Sequence, residues 1–73
     1  MPVFTAEQSA DHVADIATAT AALAETPADL ATAATAATAA RCRAQTSGVA
    51  DNETEYAEAI ALIQRAVRIA RGA

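Results

Sequence analysis

The sequence predicts an all-α protein: three helices running up, down and up, completed by self-association. Three observations carry that prediction. Alanine, the best helix former, fills 24 of 73 positions. Cap and stop residues divide the chain into three segments of similar length. Large apolar residues recur in those segments at helical spacing.

A short apolar arm, residues 1–5, comes first. Thr5-Ala6-Glu7-Gln8 then fits a capping box, in which the threonine hydroxyl accepts an early amide and Gln8 reaches back. Ser9 is an alternative start, and the first helix is expected over about 6–25. Thr26-Pro27-Ala28-Asp29 is a second start, with Thr26 as cap, Pro27 in the first turn and Asp29 at the positive helix end. The second helix is expected over 27–46, stopped by Ser47-Gly48. Asp51 or Asn52 caps a third helix over 52–71, which Gly72 ends. Residues 1–73 thus form a single alanine-rich domain.

At about 100° per residue, each helix shows a distinct apolar face. In the first, Val13, Ile16 and Leu23 cluster with Ala17, Thr20 and Ala24. The second has one large apolar residue, Leu30, on a strip of Ala33, Ala34, Ala37, Ala40 and Ala44. The third carries two stripes, Tyr56-Ile60-Ile63-Val67-Ala70 and Leu62-Ile69 beside Ala59 and Ala66. Arg41 and Arg43 are expected near Glu7, Asp11, Glu53 and Glu55, and Arg65, Arg68 and Arg71 near Glu25 and Asp29.

Composition limits what the chain can do. Its 53% hydrophobic content is mostly alanine; Leu, Ile, Val and Phe supply only 12 residues. Such a core is too small for an enclosed pocket of ordinary enzyme size. Nine acidic residues against five arginines, with no lysine, argue against nucleic acid and against anionic membranes. The longest strictly non-polar run, Ala59 to Ile63, is far short of a membrane span. No basic and apolar leader opens the sequence, so the cytoplasm is the expected location. Cys42 is the sole cysteine, which excludes an intrachain disulfide and a cysteine metal cluster.

Several motifs invite functional readings. Ala31 to Ala40 places a threonine at every third position and resembles alanine-threonine antifreeze helices. Three-residue spacing makes those threonines drift round the helix, so the stretch reads as a small-residue packing surface. Met1-Pro2-Val3-Phe4 resembles the start of the small tautomerases, whose N-terminal proline is the catalytic base. That fold requires strands, and residues 26–47 offer none. The chain also resembles, in outline, the alanine-rich helical hairpins of type VII secretion. Their Trp-x-Gly turn and Tyr-x-x-x-Asp/Glu signal are replaced here by Thr46-Ser47-Gly48 and by Ile60 four residues after Tyr56.

His12 has Asp11 and Asp15 within one turn and could join Glu55 and Glu58 across the bundle as metal ligands. Di-iron bundles need paired Glu-x-x-His motifs, and one histidine per chain limits such a site to an assembly. The bland alternative is a histidine at the solvent edge. Cys42 lies between two arginines, which favour thiolate, near a helix C-terminus, which opposes it; a small buried or half-buried residue is the expectation. Arg65, Arg68 and Arg71 complement the last helix's dipole.

The expected function is therefore that of a non-catalytic interaction or assembly module. It would act on itself or another protein, without cofactor, metal or nucleic acid. The candidate interface residues are Val3, Phe4, Leu30, Tyr56, Leu62 and Ile69. The alternative is a small acidic regulator, an inhibitor or antitoxin-like partner, masking a basic site with Asp11, Asp15, Glu53, Glu55 and Glu58. A third reading places a metal or enzyme site between subunits around His12, Glu55 and Glu58.

Overall fold

A computed structural model describes residues 3–72, so Met1 and Pro2, and with them any role for an N-terminal proline, lie outside it. Three helices are present: α1 (Ala6–Ala24), α2 (Leu30–Ser47) and α3 (Glu53–Ala70), with a one-turn 3-10 segment at Val49–Asp51. No strand occurs among the described residues. Both outer helices pack chiefly on α2 and touch each other far less. The result is a thin, elongated body, 41 × 19 × 14 Å.

The capping box at the start of α1 forms as the sequence predicts. Gln8 N donates to Thr5 Oγ1 at 3.1 Å, and Thr5 N donates to Gln8 Oε1 at 2.9 Å. The second start differs from expectation. The helix begins at Leu30, and Asp29 rather than Thr26 is its cap. Asp29 accepts from both the backbone amide and the hydroxyl of Thr32, at 3.1 and 2.7 Å. Two bonds to one carboxylate fix the helix start more firmly than one threonine hydroxyl could. Those bonds, the hydroxyl's first, hold the Asp29 carboxyl below its ordinary value of 3.8.

Gly48, at φ +99°, ends α2 in a conformation that disfavours any other residue. Asn52 stands at the cap position of α3 but makes no capping bond. Its side chain is buried and used elsewhere: Nδ2 donates to Gly48 O at 2.9 Å and Oδ1 accepts from Phe4 N at 3.3 Å. One amide thereby ties the N-terminal arm, the 3-10 turn and α3 together.

The core is made almost wholly of alanine. On α2, Ala33, Ala37, Ala40 and Ala44 follow a 4-3-4 spacing, and the last three are fully buried. With no side chain beyond Cβ, they allow helix axes to approach the ~8 Å lower limit. One cluster joins Ala22, Leu23, Ala33 and Ala66, with Leu30, Leu62 and Ile69 packed against it. A second joins Ala19, Ala36 and Ala37, with Leu62 and Ile63 against it. Leu62 thus bridges both.

Two faces depart from the sequence reading. On α1 the buried residues are His12, Ala19, Ala22 and Leu23, while Val13 is 66% exposed and Ala17, Thr20 and Ala24 also face solvent. The helix is turned by about a quarter revolution from the face its large residues imply. Close approach to α2 selects Ala19 and Ala22 for the contact; bulkier residues would hold the backbones apart. On α3, Ala59 and Ala66 are buried between half-buried Leu62 and Ile69, whereas Val67 is 41% exposed and Ala70 faces solvent.

The arginine expectation is also corrected. Arg43 Nη2 pairs with Asp15 Oδ2 at 2.7 Å, an acid absent from the predicted set. Among the described residues, Arg65, Arg68 and Arg71 form no ion pair with Glu25 or Asp29. The partly buried Asp15–Arg43 pair links α1 to α2.

Ala37→Leu is expected to lower unfolding free energy by about 1–3 kcal/mol, because the added carbons have no space between α1 and α2. Urea denaturation followed by circular dichroism measures this. Asp29 ionises more readily in the folded chain, so its contribution is complete above its ordinary carboxylate range and is lost as pH falls through the lowered value. Asp29→Ala should accordingly reduce the melting temperature at neutral pH, and the gap from wild type should close on acidification below about pH 4.

Candidate functional site

Two surface features bring together residues with chemical or binding potential. The first is an open groove between α1 and α3. Its volume is about 400 Å³, and Phe4, Ser9, His12, Val13, Glu55 and Glu58 line it. The capping box starts α1 three residues before Ser9, and the rotation that puts Ala19 and Ala22 against α2 turns His12 towards α3. Glu58 lies one turn into α3 and meets it there.

His12 is 5% exposed, not at the solvent edge. Its Nε2 lies 3.0 Å from Glu58 Oε1, with the Glu58 side chain half in solvent. The Phe4 ring covers the imidazole from the arm, with centroids 5.7 Å apart and planes tilted by 52°. The other ring nitrogen, Nδ1, is buried and has no hydrogen-bond partner. A neutral imidazole donating from Nε2 leaves Nδ1 as an unfilled acceptor; a protonated ring leaves it as an unfilled donor. The sequence proximity of Asp11 and Asp15 proves irrelevant, because Asp15 binds Arg43 and the partner of His12 comes from α3.

This pairing positions an imidazole against a carboxylate, the arrangement that orients a histidine base. Ser9 lines the same groove but shares no hydrogen bond with His12 among those formed. Cys42 sits on α2, away from the groove, and is exposed where a buried or half-buried position was expected. As metal ligands, His12 and Glu58 are two groups. Among the described residues no cluster of three or more His, Cys, Asp or Glu side chains is assembled.

The second feature is apolar and lies on the other side of α3. Tyr56, Ile60 and Ile63 are half-buried and Val67 is exposed, at 4-3-4 spacing along one stripe. Beside the lower part of this stripe is a socket of about 190 Å³ formed by Leu30, Ala34, Ile63, Ala66, Val67 and Ala70. That volume is below the roughly 300–1,000 Å³ of small-molecule sites.

The predicted interface residues divide between interior and surface. Leu62, Ile69 and Leu30 pack against the core clusters, although Leu30 also edges the socket. Phe4 is half-buried over His12, Val3 is exposed on the arm and Tyr56 heads the α3 stripe. Ile60, Ile63 and Val67 belong to the double stripe that the sequence offers for self-association, but lie outside the six candidate interface residues, because their spacing is also that of a core. Of the acids proposed to mask a basic partner, Asp15 and Glu58 are engaged within the chain.

No family model matches this chain, and no curated protein or solved structure is significantly similar to it.

Glu58→Ala is expected to cost about 1–3 kcal/mol of stability, since it strips the buried imidazole of its remaining partner. Glu58→Gln keeps an acceptor at the same place and should cost clearly less. Chemical denaturation of the two variants beside wild type checks the ordering.

Proposed function

We propose that this protein is a non-catalytic helical module that works by associating with further copies of itself. One observation carries this reading. Of the twelve Leu, Ile, Val and Phe residues, Leu23 alone is buried within the chain. Burial of apolar area is the main source of folding free energy; here four of these residues are exposed and seven are only partly buried. A core built from alanine releases little by comparison. Association covers the remaining surface and raises stability by mass action.

Val3, Val13, Val49 and Val67 are exposed, and Val67 continues the partly buried Tyr56-Ile60-Ile63 stripe along α3, which is the face best placed for an interaction. The acidic-regulator reading has weaker support, because two of its five acids already have partners. The groove at His12 supports a structural role: it holds the arm against the bundle through one hydrogen-bonded ring and one aromatic contact.

Analytical ultracentrifugation over nanomolar to micromolar concentrations is the direct test. The expected outcome is a species at a multiple of the 7.4 kDa chain mass, with stability that rises with concentration. Val67→Asp should shift the equilibrium towards monomer while leaving helix content unchanged. A wild-type chain that stays monomeric throughout the micromolar range removes the reading.

A further inference from the structure

We propose that two copies pair α3 against α3 in antiparallel fashion, about a two-fold axis passing between Ala61 and Leu62, each copy seating its Tyr56 in the other's socket. This rests on the self-association reading above and specifies its geometry.

The α3 stripe is self-complementary only in that direction. Tyr56, Ile60, Ile63 and Val67 follow 4-3-4 spacing, so reversing the helix about its middle superposes the stripe on itself. Ile60 then faces the partner's Ile63, and Tyr56 faces the partner's Val67. An isologous contact of this kind closes after two copies and leaves no open end.

Charge selects the same direction. The first half of α3 carries Glu53, Glu55 and Glu58, and the second half Arg65 and Arg68, with Arg71 just after it. Reversal brings Glu53 near the level of the partner's Arg71, whereas Glu58 and Arg65 lie on the opposite face of α3, where Glu58 meets His12. Glu53 and Arg71 flank the same edge of the stripe. Parallel pairing would set Glu53 against Glu53 and Arg71 against Arg71 along that edge. Antiparallel helix dipoles favour the same choice. None of the three arginines has an ion-pair partner within the chain among the described residues.

Shape agrees as well. The socket formed by Leu30, Ala34, Ile63, Ala66, Val67 and Ala70 is centred at the level of Val67, where the partner's Tyr56 arrives. Its floor residue Ala66 is small, and its volume of about 190 Å³ suits one aromatic side chain. Each dimer contains two such seats, with a half-buried tyrosine available for each. An aromatic anchor in a preformed apolar pocket is the usual centre of binding energy in an interface.

The test uses disulfide trapping in the full chain, with Cys42→Ser removing the natural thiol. Ile60→Cys and Ile63→Cys chains are mixed and oxidised gently. The expected product is the mixed 60–63 disulfide in clear excess over either like-with-like species. Tyr56 is the only tyrosine and tryptophan is absent, so intrinsic emission of unmodified wild type reports on that residue alone. Its acrylamide quenching should fall about two-fold or more as concentration drives association, and Tyr56→Ala should raise the dissociation constant about ten-fold or more. A dimer that yields mainly 60–60 and 63–63 products, or whose tyrosine quenching is indifferent to concentration, overturns this geometry and leaves self-association standing. A wild-type chain that never associates overturns both.

Discussion

The close approach of α1 and α3 to the alanine strip of α2 is the constraint on which the remaining structure depends. Ala37, Ala40 and Ala44 have no exposed surface, and any side chain larger than a methyl would force the axes apart. That requirement sets the rotation of α1, putting Ala19 and Ala22 rather than Val13 against α2. It also sets the rotation of α3, putting Ala59 and Ala66 inward. Tight backbone packing replaces side-chain volume, and the large apolar residues are displaced towards the margins.

That displacement has two consequences for the surface. On the α1 side of α3, the turn of α1 carries His12 inward to meet Glu58, and the arm closes over it through Phe4 and the Asn52 side chain. A histidine with one nitrogen bound and the other unfilled is an expensive residue to bury, yet here it joins three segments that share few apolar contacts. On the opposite side, Tyr56, Ile60 and Ile63 are only partly buried and Val67 is exposed. An interior of alanine thus leaves the larger apolar side chains at its margins.

Several features were legible from short-range signals. The Thr5–Gln8 capping box, the stop at Gly48 and the number of helices follow from residues acting within one turn of their own position. Asp29 shows the limit of such signals. Thr26-Pro27 and Asp29 both offer a helix start, and the presence of Thr32, with an amide and a hydroxyl for one carboxylate, decides between them. The pairing of His12 with Glu58 was open to sequence reasoning as one of several options. The pairing of Arg43 with Asp15 was not, because it depends on the quarter revolution of α1.

The sequence by itself determined helix content, helix number, the two turns and the scarcity of large core residues, since these depend on local propensity and on counts. Tertiary structure decided which face of each helix is inside. Periodicity locates an apolar stripe, but two stripes on one helix compete, and their periodicity is the same. The winner is the stripe whose small residues let the backbones approach: Ala59 and Ala66 on α3, Ala19 and Ala22 on α1. Only the packed structure contains that distance, and it leaves the Tyr56–Val67 stripe at the margin, with Val67 exposed.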